Sequence, residues 1–123
     1  MEKNKKLIKY LSLWIPTIVW AGVIFYLSSI PKLEAIHDPL WNLITRKLGH
    51  IGVYFVLFLL LNRSFENKKP ILAVYLALLY AISDEYHQSF VPLRKGDHID
   101  VIIDLVGILG GYYWFKKIRK DSG

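Results

Sequence analysis

The chain has 123 residues, of which 54% are hydrophobic and 15% aromatic, and its formal net charge is +6 at pH 7. That length allows one domain at most, and the apolar fraction exceeds that of an ordinary soluble domain. Because the sequence contains no cysteine, a disulfide framework, a thiolate metal site and a cysteine nucleophile are excluded. The basic residues fall in short tracts between apolar segments, a pattern typical of membrane-flanking loops and not of a nucleic-acid surface.

Four apolar segments follow one another along the chain, at about 11–29, 43–62, 70–88 and 99–115. A helix needs roughly 20 residues to cross a bilayer core of about 30 Å, so each segment is long enough, the fourth barely. Backbone amides in lipid must be hydrogen-bonded within their own segment, and helices are therefore expected. The sequence predicts an all-α fold: a polytopic membrane protein with four transmembrane helices in a single domain over residues 1–123.

The distribution of lysine and arginine predicts how these helices are oriented. Most of the 16 basic residues lie before the first span, between the second and third, and after the fourth. The positive-inside rule then places both termini and the middle loop in the cytoplasm. All four histidines and most of the acidic residues lie outside or in the outer parts of the spans. We therefore expect a multi-pass protein of the bacterial plasma membrane whose polar residues gather at its outer face.

The connection before the second span contains a helix-start pattern. In His37-Asp38-Pro39, Asp38 is suited to the N-cap and Pro39 to the first helical position. We expect the second helix to begin here, before the most apolar part of its span.

Polar side chains cluster at the predicted outer ends of the second, third and fourth spans. They are Lys47, His50, Tyr54, Asp84, Glu85, Gln88, Asp97, Asp100 and Asp104. On the second helix, Lys47, His50 and Tyr54 are spaced i, i+3, i+7 and share one face. On the third, Asp84 and Gln88 are spaced i, i+4 and also share a face. The acids of the fourth helix repeat at intervals of three and four residues. These stripes can converge on one polar layer that opens to the outer leaflet.

The fourth helix carries the most deeply placed acid of this layer. Asp104 lies about five residues inside its span, where an ionised carboxylate costs a few kcal/mol or more unless it is paired. Gly107 and Gly111 continue its stripe inward and let a neighbouring helix approach closely. One interpretation is structural, with Lys47 and Arg94 neutralising the carboxylates in a network that fixes the register of the helices. The other interpretation is a functional site.

The sequence is similar to the VanZ-like family of bacterial membrane proteins, named for a member associated with teicoplanin resistance. The resemblance covers nearly the whole chain, in WAGVIFYLSSIP, KLGHIGVYFVLFLLL and AISDEYHQSFVPLRKGDHIDVIIDLVGILG. The polar motif positions of the family fall on Lys47, His50, Tyr54, Asp84, Glu85, Gln88, Pro92, Arg94 and Asp100. This chain departs from the family at Asp104, where asparagine is frequent, and at Leu93, where glycine is frequent. The resemblance implies a fold and an envelope context linked to glycopeptide resistance, and no particular reaction.

At the outer face, a protein of this kind meets lipid headgroups and lipid-linked wall precursors, which are the expected partners. The candidate catalytic residues are His50, Asp84 and Glu85, since histidine titrates near neutrality and a carboxylate can orient it. The candidate substrate-binding residues are Lys47, Tyr54, Gln88, Arg94, Asp100 and Asp104. Among them, Arg94 is suited to bidentate phosphate binding. The reaction under this hypothesis is hydrolysis or transfer at a phosphoester of a membrane lipid.

Non-enzymatic alternatives stay open, and so does the question of whether the protein is an enzyme. The same layer can bind a glycopeptide, a precursor or a partner protein, or it can hold the bundle together. A proton-coupled transporter would use Asp104 and Glu85 as proton carriers, and with only four spans it would require a homodimer. The carboxylates also suit a divalent cation, so the metal and the cofactor are undetermined. A nucleic-acid partner is not expected.

Overall fold

The computed structural model describes the backbone of residues 1–29, 39–90 and 98–122, and the side chains of 1–28, 44–90 and 99–120. These residues form four α-helices and contain no strand. The helices are α1 (Glu2–Ser29), α2 (Pro39–Ser64), α3 (Pro70–Gln88) and α4 (His98–Ser122). The all-α fold predicted from the sequence is confirmed for this part of the chain.

The helix ends follow local sequence signals. The second helix begins at Pro39, as predicted, because proline lacks the N–H that a first helical residue would leave unpaired; the predicted cap, Asp38, lies outside the described residues. The third helix begins at Pro70 and ends at Gln88, the limits of the third apolar segment. The first and fourth helices are longer than their apolar segments, since the basic tracts beside them are also helical.

A tight turn joins α2 to α3. Glu66 and Asn67 have positive φ angles of 58° and 61°, in the left-handed region that asparagine tolerates better than most residues. The N–H of Asn67 donates to the carbonyl of Asn62 over 2.8 Å, the long hydrogen bond that closes a Schellman motif at a helix C-terminus. The turn makes α2 and α3 antiparallel neighbours.

The centre of the bundle is α2, whose most extensive interface is with α4. The buried apolar residues are Ile24, Tyr54, Leu57, Phe58, Leu61, Ala73, Ala77, Ala81 and Ile108. On α3 these are three alanines spaced four residues apart, each 0% exposed, so that helix presents one small-residue stripe to the core. Small side chains let the α3 backbone come close to the aromatic residues of α2.

Two glycines let α4 lie directly against α2. A Cβ atom at Gly107 would be 2.3 Å from the carbonyl oxygen of Ile51, and one at Gly111 would be 2.9 Å from Cδ2 of Phe58. At Gly107 the contact is with backbone, so only glycine fits without separating the helices, whereas a side chain at Gly111 would require the Phe58 ring to shift. The close helix approach predicted from the glycine stripe is confirmed.

Within the described residues, two helical segments are long and apolar enough to cross a membrane. They are Glu2–Ser28 and Ile44–Ser64. Only 17% and 22% of the residues in their most apolar windows are buried within the bundle. That exposure distinguishes them from the core helix of a soluble protein, whose apolar face is covered. The four-span topology with cytoplasmic termini stays a prediction.

Candidate functional site

Two ion pairs connect α2 to α4, and we call them the α2–α4 pairs. Nζ of Lys47 lies 2.5 Å from Oδ1 of Asp100, and Nδ1 of His50 lies 2.8 Å from Oδ1 of Asp104. The two basic residues are three positions apart and the two acids four, so the pairs stack one turn apart along the interface. The side chains of Asp100 and Asp104 are 7% and 2% exposed. Each carboxylate therefore has a cationic or hydrogen-bonding partner where water is largely absent.

Side chains from three helices meet in a second set, the Asp84 group, which consists of Ser28, Tyr54, Asp84 and Gln88. The hydroxyl of Ser28, on α1, is hydrogen-bonded to Oδ1 of Asp84. The hydroxyl of Tyr54, on α2, donates to Oδ2 over 3.2 Å, and Nε2 of Gln88 lies 3.4 Å from the same oxygen. Asp84 is 5% exposed, and these three partners are all neutral. The group thus surrounds a buried carboxyl group with hydrogen-bonding partners from three helices.

A cavity of about 190 Å³ lies beside the Asp84 group. Its polar lining residues are Ser28, Arg46, His50, Tyr54, Asp84 and Gln88, and aliphatic side chains of α1 and α2 complete the wall. The wall combines one carboxylate with a guanidinium, an imidazole and three neutral hydrogen-bonding groups. Such a set can hold an anionic group near Arg46 and His50, and a hydroxyl or ammonium near Asp84.

The described residues of the predicted polar layer fall mostly into these two sets. Eight predicted site residues lie at this end of the bundle: Lys47, His50, Tyr54, Asp84, Glu85, Gln88, Asp100 and Asp104. Across the α2–α4 interface, Lys47 contacts Asp100 and His50 contacts Asp104. Of these four, only His50 is among the residues that line the cavity. Glu85 is 8% exposed and lies beside Asp84 on α3, but it does not line the cavity either. Arg94 lies outside the described residues.

His50 belongs to the α2–α4 pairs and also lies at the cavity. Its Nδ1 atom is hydrogen-bonded to Asp104, and its side chain lines the cavity. It is therefore the residue that the α2–α4 pairs share with the lining of the cavity.

Sequence reasoning missed two polar residues of the cavity, Ser28 and Arg46. A serine at the end of an apolar helix carries no charge to distinguish it, so no signal in the sequence marked Ser28. Arg46, in contrast, is spaced i, i+4, i+7 with His50 and Val53, and all three line the cavity. That stripe lies beside the predicted one on α2, so helical periodicity could have found Arg46.

The carboxylates do not form a metal site in the described part of the chain. No group of three histidine, aspartate or glutamate side chains there is placed to hold a metal ion. Asp100 and Asp104 are each bound to a basic side chain of α2, and Asp84 to neutral donors. Their oxygens are directed to protein partners, an arrangement unlike the several converging oxygen ligands that a hard divalent cation needs.

Comparison with known families gives one result that covers most of the chain. The family model described as VanZ/LLP1 matches residues 13–119. No curated protein and no solved structure matches the chain. The matched range includes both the α2–α4 pairs and the Asp84 group.

Proposed function

The chain belongs to the VanZ-like family, and on that premise we propose that it is a multi-pass protein of the bacterial plasma membrane that binds the headgroup of a membrane lipid or of a lipid-linked wall precursor. Family membership suggests a membrane protein linked to resistance. The observation that carries the binding proposal is the cavity beside Asp84, where side chains of opposite charge and aliphatic side chains line one small space.

The apolar surface of the bundle supports four membrane spans. Each helix exposes large apolar side chains; Ile18, Leu48, Leu79 and Ile102 are between 61% and 64% exposed. Soluble monomers rarely leave extended apolar surface in water, whereas a lipid environment covers it. The basic tracts at both termini and in the α2–α3 turn favour the cytoplasmic side for that end of the bundle. The cavity beside Asp84 then opens toward the outer leaflet.

The lining of the cavity suits a ligand with a phosphate beside a hydroxyl or amine. Arg46 and His50 are suited to the phosphate, and Asp84 and Gln88 to a hydroxyl or ammonium. Phospholipid headgroups and sugar phosphates have both features. The volume of about 190 Å³ is below the usual 300–1,000 Å³ of a site for a whole small molecule. The cavity therefore receives only the polar end of a ligand whose remainder stays in the bilayer or in water.

We assign the α2–α4 pairs to helix packing. Both connect α2 and α4, which share the most extensive interface in the described part of the chain, and their carboxylates do not line the cavity. Paired charges of this kind fix the register of neighbouring helices. Under this assignment, one part of the predicted layer serves helix packing and the other part binds the ligand.

Phosphoester hydrolysis is a second candidate, favoured by the position of His50. A carboxylate hydrogen-bonded to one ring nitrogen fixes the orientation of an imidazole and leaves the other nitrogen for proton transfer. Asp104 makes that hydrogen bond, and His50 lines the cavity. Of the predicted catalytic residues, His50 and Asp84 are thus the two that line the cavity.

Binding is tested by native mass spectrometry of the full chain in detergent, with a polyprenyl diphosphate saccharide and a zwitterionic phospholipid as ligands. We expect Asp84→Asn to weaken retention of the preferred ligand about tenfold, since hydrogen bonds to a charged group are the stronger ones. Ser28→Ala should weaken it less. Ser12→Ala is the matched control, because Ser12 is exposed and its hydroxyl donates to the carbonyl of Lys9 over 2.8 Å. Unchanged retention in both Asp84→Asn and Ser28→Ala would refute the binding proposal.

Hydrolysis is tested separately, by product release from the same ligands in detergent. Turnover that disappears in His50→Gln while ligand retention persists supports the second candidate. Retention without product in the unmodified chain leaves binding as the function and rejects hydrolysis.

A further inference from the structure

The opposite end of the bundle contains a second and larger cavity. It has a volume of about 500 Å³ and lies between the end of α2, the α2–α3 turn and the end of α4. It shares no lining residue with the cavity beside Asp84. Its volume falls within the range of about 300–1,000 Å³ that is usual for ligand sites.

Asn62 lines this cavity and has an unpaired amide oxygen. The residue is 2% exposed, and its Oδ1 atom has no hydrogen-bond partner within the described residues. The backbone carbonyl of Asn62, in contrast, accepts from the N–H of Asn67 over 2.8 Å, so the main chain is held in place. A buried amide oxygen without a donor is unfavourable, and a ligand hydroxyl in the cavity would satisfy it.

The rest of the lining divides into an apolar wall and a basic rim. Leu59, Phe115 and Ile118 form the wall together with Trp114, and tryptophan is enriched where a membrane protein meets the lipid headgroups. Lys68 and Arg119 lie at the rim.

The acid at this rim is already paired. Oε1 of Glu66 lies 2.6 Å from Nζ of Lys9, so its negative charge is compensated by a residue of α1. The rim as a whole therefore attracts an anion.

We propose that this cavity binds an acidic glycerophospholipid with a hydroxylated headgroup. The phosphate lies at Lys68 and Arg119, and a headgroup hydroxyl donates to Oδ1 of Asn62. An acyl chain follows Leu59 and Ile118 into the bilayer. Choline headgroups have no hydrogen to donate to the amide oxygen, so the site discriminates against them. With the orientation proposed above, this lipid belongs to the cytoplasmic leaflet. The other parts of the proposal do not depend on that orientation.

The test is native mass spectrometry of the full chain in detergent with equal amounts of phosphatidylglycerol and phosphatidylcholine. We expect phosphatidylglycerol to be retained preferentially. Asn62→Leu should reduce its retention about fivefold, because the acceptor is lost. The midpoint of thermal unfolding should stay the same or rise, since an apolar side chain of similar size replaces an unpaired polar one. Reduced retention without loss of stability separates ligand binding from a role in folding.

The role of the basic rim is tested with Lys68→Gln, which should also reduce the retention of phosphatidylglycerol. Lys5→Gln makes the same change in net charge at an exposed position outside the cavity, and it should retain phosphatidylglycerol as the unmodified chain does. Soluble glycerol 3-phosphate should not displace the lipid, because it has no acyl chain to contact the apolar wall.

Four results would overturn the proposal: equal retention of the two lipids, full retention by Asn62→Leu, displacement by glycerol 3-phosphate, or a dimer that Asn62→Leu dissociates. Displacement would indicate a site for a soluble phosphate ester. A dissociating dimer would indicate that a second copy of the chain covers the cavity.

Discussion

The two ends of the bundle differ in how they satisfy buried polar groups. At the proposed outer end, Asp100 and Asp104 each have a partner on another helix, and the adjoining cavity is about 190 Å³. At the opposite end, the amide oxygen of Asn62 has no partner within the described residues and lies beside a cavity of about 500 Å³. A polar group that meets a partner from a neighbouring helix stabilises the bundle, whereas we propose that the amide oxygen of Asn62 takes its partner from a bound lipid.

Other polar groups at the same end of the bundle as Asn62 do have hydrogen-bond partners. The hydroxyl of Thr17 contacts the carbonyl of Leu60 at 3.0 Å and Oγ of Ser64 at 2.6 Å. Oγ of Ser64 also lies 2.8 Å from the carbonyl of Leu13. These hydroxyls join α1 to α2, so Asn62 differs from its neighbours on the same helix.

The largest effect is expected from Gly107→Ala. Its Cβ would lie 2.3 Å from the carbonyl oxygen of Ile51, so α2 and α4 must separate, and the free energy of unfolding should fall by about 3 kcal/mol. Gly110→Ala is the control, because its Cβ would meet Cδ2 of Phe55 at 3.8 Å, an ordinary van der Waals distance. Chemical unfolding in detergent measures both. Equal stability of the two variants would contradict the close helix contact on which the α2–α4 pairs depend.

A smaller loss is expected from Lys47→Met. It leaves the carboxylate of Asp100 buried without its cation, and we expect a loss of about 2 kcal/mol, below the usual cost for a fully buried pair because the Lys47 side chain is 28% exposed. The double variant Lys47→Met with Asp100→Leu should recover much of that loss, since no uncompensated charge remains. A double variant no more stable than the single one would show that the pair is not a packing element.

Thr17→Val tests the difference between a paired and an unpaired polar group at the end of the bundle that contains Asn62. It removes the hydroxyl that contacts Leu60 and Ser64, and a loss of about 1 kcal/mol in the free energy of unfolding is expected. Asn62→Leu, measured under the same conditions in detergent, should cause no loss. If both variants were destabilised to the same extent, the distinction between paired and unpaired groups at this end would be wrong.

The smallest effect is expected from Glu66→Gln. The hydrogen bond from Lys9 lowers the pKa of Glu66 below its usual value of 4.5. Because the pKa is lower in the folded state, the carboxylate stabilises the fold above about pH 4.5, and that contribution is lost as the pH falls through the folded-state pKa. The pair is exposed, so little change is expected in the unfolding midpoint at neutral pH. The variant should lose less stability than the unmodified chain on acidification, and an identical acid profile would contradict this.

Helical periodicity was sufficient to predict which residues share a face on α2 and on α4. Spacings of three and four residues put Lys47 with His50 on one face of α2, and Asp100 with Asp104 on one face of α4. Which helix each face meets was not predicted, and the structure pairs the two faces across the α2–α4 interface. The proline signals likewise fixed the starts of α2 and α3. In each case the determining residues are close in sequence and lie on one helix or at its end.

The cavity residues could not be predicted in the same way. Ser28 reaches Asp84 only because α1 packs beside α3. The sequence of one helix does not show which helix packs against it. Asn62 appeared as the last residue of an apolar span, and its missing partner is visible only when all four helices are in place. Hydropathy predicts the limits of membrane spans, whereas backbone hydrogen bonding sets the helix ends, so α1 and α4 extend beyond the apolar segments.

The contact of Gly107 with the backbone of Ile51 has a mechanical consequence. With no side chain between them, the two backbones are in direct contact, and the α2–α4 pairs join the same two helices, so we expect α2 and α4 to move together. The smallest interface among the described residues is between α1 and α3, and Ser28 and Asp84 face each other across it. If the cavity beside Asp84 receives a lipid headgroup, as proposed above, we expect it to open by a tilt of α1 away from α3. Such an opening would face the bilayer, so that a long-chain lipid could insert its headgroup without leaving the membrane.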